Sequence, residues 1–196
     1  MKRNYGFLGV LFLLITAFAV QSLAQGGRET FTGTIISYGS GFNTRTTTGT
    51  FTLNINGQTS DQQAQRLLGL LQERNQNELL KAVDDQDLGR FSVGARVGDP
   101  INVVRESMVD GRRRIFAVFR RSPHFAELRG GYRSLDYPFG VIELFIDPRT
   151  GKGEGTYIAA ARIRWDRDNE NTIEIENFAT YPARLMGVTS RGRDAR

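Results

Sequence analysis

The chain has 196 residues, no cysteine, one histidine and a formal net charge of +5. The lack of cysteine excludes disulfides, thiol catalysis, zinc–thiolate sites and cysteine-bound iron–sulfur clusters. The length suits one ordinary domain, which can bury a core without covalent cross-links.

The first 24 residues have the three parts of a secretory signal peptide. A basic start, Lys2-Arg3, precedes an uncharged apolar run over 7–20, and small residues follow at Ser22 and Ala24. Signal peptidase recognises this order of segments. As a helix the run would rise about 21 Å at roughly 1.5 Å per residue, whereas bilayer hydrocarbon is about 30 Å thick. We therefore expect cleavage after Ala24 and a secreted or periplasmic protein, with no transmembrane segment in the mature chain.

The mature chain is predicted to be one mainly β domain over 25–189, with a helical hairpin at about 61–86 and a disordered basic tail at 190–196. Alternating apolar and polar residues, bounded by Gly, Pro, Asn and Asp, indicate strands. Asp110-Gly111 predicts a two-residue type I′ turn, because both residues tolerate positive φ angles. Nine strands are predicted: Thr30–Tyr38, Arg45–Ile55, Gly89–Val93, Ile101–Val109, Arg112–Arg121, Phe139–Ile146, Thr156–Trp165, Thr172–Phe178 and Ala183–Thr189.

The helical hairpin is predicted after the second strand, with helices at about 61–73 and 77–86. Ser60 and Gln63 have the spacing of a capping box, in which each side chain bonds an N–H group at the helix start. From Leu67 onward, leucines recur at the spacing of one helix face. These apolar stripes are narrow, so we expect each helix to lie on the sheet rather than inside the core.

The strand connections decide the fold class. Consecutive hairpins favour antiparallel pairing, since parallel strands need a crossover between them and only one helical segment is present. The predicted fold class is mainly β (α+β), an antiparallel β-barrel or sandwich of about nine strands with an inserted helical hairpin.

Three stretches of the mature chain form a recognisable combination. They are the strand that runs into the capped helix over 50–61, the loop Ser134-Leu135-Asp136-Tyr137-Pro138-Phe139-Gly140, and the strand over 155–164 with Ala159-Ala160-Ala161. Together they resemble an uncharacterised family of secreted bacterial proteins that carry one such domain after a signal peptide. The resemblance covers most of the mature chain. It implies export and a single domain, and it implies no activity, cofactor or site residue.

The only histidine, His124, is a weak candidate for catalysis. A His-based triad needs a Ser and a carboxylate beside the histidine. Ser122 and Glu127 are near it in sequence, but neither a strand–elbow–helix context nor a Gly-x-Ser-x-Gly motif is present. One histidine also cannot form a multi-histidine metal site. We therefore predict no catalytic residue.

Three carboxylates have the alternate spacing that opens a calcium loop, namely Asp166, Asp168 and Glu170. The loop also requires Gly at its sixth position and a bidentate Glu at its twelfth. Asn171 and Asn177 occupy those positions. A solvated turn explains the carboxylates equally well, so we predict no metal and no cofactor.

Arginine clusters at 112–114 and 120–121 lie at the two ends of one predicted strand. Because consecutive strand residues point to opposite faces, the clusters do not form one basic stripe, which argues against nucleic-acid binding. Anionic polymers of the cell envelope, such as lipopolysaccharide or teichoic acids, stay open as partners. A small apolar ligand also stays open.

Glu143 is the one charged residue in the apolar strand 139–146. A charge at such a position is costly unless it is paired or hydrated. In one arrangement Glu143 shares a face with Phe145, Tyr157 and Trp165. That face would suit the wall of a ligand cavity, and these four residues are the predicted ligand-binding set.

The register of the following hairpin decides between two arrangements. If residue 147 pairs with 155, the cavity face forms. If the register slips by one, Glu143 joins Arg162 and Arg164 on an outer face as a surface ion pair. Alternation alone leaves both registers open.

Two functions from different classes follow from these observations. The first is an exported, non-enzymatic binding or interaction module on a β scaffold, which we favour because no acid, base and nucleophile can be assembled. The second is a cavity-containing barrel that binds a small apolar ligand or acts as a carboxylate-based hydrolase or isomerase through Glu143. A sealed barrel interior would favour the first, and a cavity of over about 300 Å³ beside Glu143 would favour the second.

Overall fold

The computed structural model describes residues 28–39, 45–122, 133–166, 172–178 and 181–192. These residues form ten β-strands and two α-helices. The strands are β1 Glu29–Ser37, β2 Thr47–Ile55, β3 Gly89–Val93, β4 Asp99–Ile101, β5 Val103–Val109, β6 Arg112–Arg120, β7 Phe139–Ile146, β8 Lys152–Trp165, β9 Ile173–Asn177 and β10 Ala183–Arg191. The helices are α1 Asp61–Gln72 and α2 Gln76–Asp84, and a 3₁₀ turn spans Arg133–Asp136.

All nine predicted strands are present. Two of them, Gly89–Val93 and Phe139–Ile146, have the predicted bounds, and the other seven differ, three of them as follows. The strand predicted from Ile101 begins at Asp99 and is divided into β4 and β5 at Asn102. The strand β8 begins four residues earlier than predicted, at Lys152. The strand β10 continues to Arg191, so the first two residues of the expected tail belong to the sheet.

The strands form one antiparallel sheet that curls into a nearly closed barrel. Its order is β4-β3-β2-β1-β10-β8-β7-β6-β5, and β9 pairs with β8 outside this path. The two ends of the sheet meet in one stretch of chain, because β4 pairs with β3 and the β5 strand that follows it pairs with β6. The predicted fold class, mainly β and antiparallel with an inserted helical hairpin, is confirmed.

Asn102 ties the two ends of the sheet together. Its backbone N–H donates to the Val118 carbonyl at 3.0 Å. Its side chain is buried; its Nδ2 donates to the Gln86 carbonyl at 2.7 Å, and its Oδ1 accepts from the Arg120 N–H at 2.9 Å. One buried amide therefore joins the segment after α2 to the end of β6.

Packed side chains fill the barrel interior. Phe31 and Phe119 have no exposed surface, and the rings of Phe91 and Tyr157 lie 4.9 Å apart between centroids. The wall approaches this core so closely that a Cβ at Gly140 would stand 2.2 Å from the Phe119 ring. Further buried residues of the same core are Ile35, Phe51, Leu53, Ile55, Ile101, Val104, Ile115, Ala117, Ile142, Leu144, Ile146, Ala183, Leu185 and Val188.

A cluster of charged side chains, here termed the charge plug, caps one end of this core. Arg113 donates to Glu29 at 2.5 and 2.7 Å and to Glu106 at 2.5 and 3.0 Å. The Ser190 hydroxyl also donates to Glu29, at 2.5 Å, and the Arg113 guanidinium lies 5.8 Å from the centroid of the Phe31 ring. Burial disfavours the charged form of Arg113, but the bonds and charges of the two carboxylates outweigh it and raise its pKa above the ordinary value.

The helical hairpin packs on the outer face of the barrel, as its narrow apolar stripes predict. The hydroxyl of the N-cap residue Ser60 accepts from the Gln63 N–H at 3.2 Å. Buried residues of this second cluster are Leu67, Leu79, Ala82, Val83, Phe116, Val118, Phe139, Val141, Ala161, Ile163 and Ile173. Within the described ranges, neither helix has the length and apolar content that crossing a bilayer demands.

Candidate functional site

A groove lies on the outer surface of the barrel, between the helical hairpin and the second half of β8. Its volume is about 360 Å³, within the range of small-molecule sites, and it is termed the hairpin groove. A second depression of about 490 Å³ shares Gln76 and Arg162 with it. The lining residues of the hairpin groove are Leu70, Leu71, Gln72, Arg74, Gln76, Leu79, Arg162, Ile163, Arg164 and Trp165.

The apolar floor of the groove follows from the periods of two kinds of element. Ile163 and Trp165 are two residues apart on β8, so both face the helices. On α1, Leu67 and Leu71 are four residues apart and lie on one helix face. The helix ends at Gln72, directly after Leu71, which is half-buried while Leu67 is buried. The apolar stripe of α1 therefore ends on an open surface.

Two arginines of β8 form one charged side of the groove, and carboxylates hold them. Arg164 lies 3.0 Å from Glu176 of β9, and Arg162 lies 3.9 Å from Asp136 and 4.0 Å from Glu176. The Arg162 guanidinium stands 4.5 Å from the centroid of the Tyr137 ring, whose hydroxyl donates to Glu176 at 2.5 Å. This network fixes both guanidinium groups and balances part of their charge.

Arg74 forms another charged part of the groove, in the turn from α1 to α2. Its N–H donates to the Leu71 carbonyl at 3.1 Å, and the Asn75 N–H donates to the Leu70 carbonyl at 3.1 Å. This is the Schellman pattern, whose first residue after the helix cap takes a left-handed conformation and is usually Gly or Asn. Arg74 takes it with a φ of 57°. The side chain is exposed and forms no ion pair with any other described residue.

The four predicted ligand-binding residues lie in three separate places. Trp165 lines the hairpin groove. Tyr157 lies inside the barrel, where burial, followed by the charge of Asp99, raises its pKa to about 12 against the smaller opposing effect of an arginine. Glu143 and Phe145 lie on the outer face of β7, so the structure does not bring them together with Tyr157.

The register of the β7–β8 hairpin differs from both predicted alternatives. The pairing of residue 147 with 155 is wrong, because Glu143 lies opposite Thr156. Glu143 therefore points outward, as the slipped register predicts, but the partner predicted on β8 is also wrong. The Glu143 carboxylate accepts from Arg114 Nε of the neighbouring β6 at 2.6 Å.

The remaining candidate residues lie mostly outside the described chain. His124, Asp168 and Glu170 are not among the described residues. In the ranges that are described, no three His, Asp or Glu side chains come together as a metal-binding group requires. That Asp166, Asp168 and Glu170 belong to a solvated turn rather than a calcium loop therefore stays a prediction.

Sequence reasoning missed Leu70, Arg74 and the helix junction as part of a site. The sequence predicts only a polar joint, Asn75-Gln76-Asn77, between the two helices. One signal was available: α1 is followed by Arg74 and Asn75, with no glycine at the position where a helix most often ends. That signal predicts an unusual helix end, and only the packed structure places it beside Trp165.

Comparison with family models, with curated proteins and with solved structures finds no match for this chain. The groove geometry and the sequence are therefore the basis of the functional argument.

Proposed function

We propose that this chain is an exported, non-enzymatic binding module whose ligand occupies the hairpin groove. The observation that carries the proposal is the composition of the groove, in which Leu71, Leu79 and Trp165 form an apolar floor beside exposed arginines. Membership in the uncharacterised family of secreted bacterial proteins that the sequence resembles belongs to the same proposal.

The packing of the barrel supports a site on its outside. Large aromatic side chains fill the interior around Phe91 and Phe119, and the charge plug caps one end. A ligand for the interior would have to displace this packed core, whose removal from contact costs several kcal/mol for each large side chain. The groove offers an apolar surface at no such cost.

The ion pairs of β6 support a small ligand over an anionic polymer. Arg113 belongs to the charge plug, and Arg114 is buried beside Glu143. Arg112 lies 3.7 Å from Glu154, and Arg120 pairs with Asp84. These are four of the five arginines in the two clusters, and carboxylates of the same chain already pair with them.

Neither depression supports a carboxylate-based hydrolase or isomerase. It required a cavity beside Glu143, and Glu143 lines neither the hairpin groove nor the adjacent depression. The Glu143 carboxylate instead accepts a hydrogen bond from Arg114 Nε of the neighbouring strand β6.

Trp165 is the only tryptophan in the chain, so its fluorescence reports on the groove alone. We expect the dye 1-anilinonaphthalene-8-sulfonate to bind saturably and to quench Trp165 by energy transfer. Leu71→Gln should weaken the dye about tenfold, because it removes roughly 1.5 kcal/mol of apolar contact. Met108→Gln is the matched control, since Met108 is 62% exposed on β5 and outside the groove. Equal weakening by both variants, or dye binding without quenching of Trp165, would contradict the proposal.

Export has its own test. Protein recovered from the envelope fraction or the medium should begin at Gln25, because Ser22 and Ala24 form the small-x-small cleavage pattern. N-terminal sequencing and intact mass measure this directly. A chain that still begins at Met1 would contradict it.

A further inference from the structure

We infer that the ligand of the hairpin groove is a single-chain amphiphile with an anionic head group, and that Arg74 binds the head. The inference rests on the proposed function and adds the chemical class of the ligand. It depends on the backbone of Arg74, on the charge balance of the groove and on the placement of its apolar floor.

The backbone at Arg74 is unfavourable for an arginine. A left-handed φ of 57° brings the Cβ of an L-residue close to its own carbonyl, and glycine avoids this cost. The Schellman bonds of Arg74 and Asn75 would form equally well around a glycine. Local folding therefore does not explain the arginine, and strained residues of this kind cluster at ligand sites.

A second explanation is that Arg74 interacts with the negative end of the α1 dipole. Such an interaction is favourable for a cation near a helix C-terminus, and α1 has no basic residue in its last turn. A dipole role makes Arg74 a stabilising residue and gives it no preference among ligands. Binding measurements separate the two explanations.

Among the residues that the structure describes, the charge balance of the groove leaves one positive charge unmatched. Arg162 and Arg164 face the carboxylates of Asp136 and Glu176. Arg74 faces no described carboxylate within ion-pair distance. A ligand with one negative charge complements this arrangement, and a charge-assisted bond to the guanidinium is stronger than a neutral one.

The apolar floor of the groove lies directly beside Arg74. Leu70 and Leu71 directly precede the turn that carries Arg74, and Leu79 and Trp165 continue the apolar lining. A molecule with its head at Arg74 would place an alkyl chain against these side chains. Each buried methylene of that chain stabilises the complex, because it removes apolar surface from water.

The test compares ligands with one alkyl chain and different heads. Decanoate, decyl phosphate, decanol and decyltrimethylammonium are titrated below their aggregation limits, with Trp165 fluorescence and calorimetry as readouts. We expect decanoate to bind about tenfold more tightly than decanol, since a hydrogen bond to a charged group contributes about 1.5–3 kcal/mol. Decyl phosphate should bind at least as tightly as decanol, and its rank against decanoate assigns the preferred anionic head. The cationic ligand should bind most weakly.

Three variants locate the head group. Arg74→Gly keeps the turn and should erase the difference between decanoate and decanol. Arg74→Lys keeps the charge and should retain part of the difference. Arg66→Gln removes an exposed charge of α1 outside the groove and should change neither affinity by more than about twofold, because exposed charges interact weakly through water.

The outcomes separate this inference from the proposed function. If decanol binds as tightly as decanoate, or Arg74→Gly weakens both equally, the anionic head at Arg74 is wrong and the groove remains the binding site. If none of the four ligands perturbs Trp165, the proposed function itself fails. If Arg74→Gly equalises the affinities for decanoate and decanol, and the other two variants do not, both proposals are supported.

Discussion

The charge plug and the hairpin groove use arginine in opposite ways. In the plug, Arg113 is 14% exposed and bonded to both Glu29 and Glu106. In the groove, Arg74 is exposed, strained in its backbone and without an ion pair to another described residue. Both sites lie on the same barrel and its helical hairpin, so they contrast a charge that is paired within the fold with a charge that is exposed on its surface.

Burial explains the difference. Removing an ion from water costs several kcal/mol, and an opposite charge with good hydrogen bonds must compensate for it. Arg113 could not stay in the barrel without its carboxylates. An exposed charge is hydrated, and an exposed pair contributes only about 0–1 kcal/mol. Arg74 can therefore lack an ion pair with every described residue, and its charge stays available to a ligand.

The largest expected effect concerns the plug. Arg113→Met removes the partner of the buried Glu29 and the partly buried Glu106 and should reduce the free energy of unfolding by about 3–5 kcal/mol. Urea denaturation at neutral pH measures the loss. A loss below about 1 kcal/mol would mean that water, rather than Arg113, compensates the carboxylates.

A triple variant sharpens this prediction. Glu29→Gln and Glu106→Gln together with Arg113→Met remove the charges of all three residues. Replacement of a buried ion cluster by neutral groups is often close to neutral for stability, so the triple variant should recover more than half of the loss. Failure to recover it would show that the geometry of the side chains, rather than their charge, is what the barrel requires.

The next effect separates the covered part of the hairpin from its open end. Leu67 is buried between α2 and the barrel wall, so Leu67→Ala should reduce the free energy of unfolding by about 2–4 kcal/mol. Leu71 lines the groove and is half-buried, so Leu71→Ala should cost only about 1 kcal/mol. Chemical denaturation of both variants tests the ranking. Equal losses would indicate that the groove is closed in solution.

Periodicity was sufficient to predict the elements of this fold. The alternation of Phe51, Leu53 and Ile55 and the leucine spacing of α1 each reflect one buried face, and one buried face is what a sequence records most directly. The position of the helical hairpin on the sheet follows from the same information, and the antiparallel pairing follows from the consecutive hairpins. Neither observation decides between a barrel and a sandwich.

The register near Glu143 could not be predicted in the same way. Gly153 and Gly155 precede Thr156, where the strand is predicted to begin, but both belong to β8, where a Cβ would stand 2.1 Å from carbonyl oxygens of β7. A bulge between Phe139 and Val141 then shifts the pairing with Ala161. Close backbone contact and bulges do not change the alternation of side chains, so a one-residue error there moves every site residue to the other face.

The candidate site was predicted least well. Trp165 was identified, but Arg74 belongs to the site only because the turn after α1 places it beside β8. That proximity depends on how the hairpin docks on the barrel. Nothing in the sequence of the junction specifies the docking.

A third effect tests the packed interior, the opposite of the open groove. Burial raises the pKa of Tyr157 to about 12, whereas an unfolded tyrosine titrates near 10. Between these values the unfolded chain has released a proton that the folded chain still holds. The free energy of unfolding should therefore fall as pH rises from about 10 to 12, by up to about 1.4 kcal/mol per pH unit for this group.

Tyr157→Phe should remove this part of the alkaline loss. Stability of the variant and of the parent is measured by urea denaturation at several pH values between 9 and 12, where a smaller slope is expected for the variant. Parallel slopes would mean that water reaches the Tyr157 hydroxyl, and that the interior is less closed than its packing indicates.

The smallest expected effect returns to Arg74 and compares two left-handed residues of the chain. Arg74 and Asp110 have φ angles of 57° and 50°. Asp110 precedes Gly111, whose φ is 73°, and both positive angles confirm the predicted type I′ turn, in which aspartate is favoured.

Arginine has no such advantage after a helix, so Arg74→Gly should raise the free energy of unfolding by about 0.5–1 kcal/mol, the left-handed cost of about 1–2 kcal/mol less the extra chain entropy of glycine. Asp110→Gly should raise it by less than Arg74→Gly does, because aspartate is already suited to its turn. Both variants are compared by the midpoint of urea denaturation. A gain at Arg74 together with loss of the preference for decanoate would mean that the chain sacrifices stability at this residue to bind an anion. If Arg74→Gly instead lowers the free energy of unfolding, then Arg74, like Arg113, is a charge that the fold requires. Its role would then be the interaction with the dipole of α1.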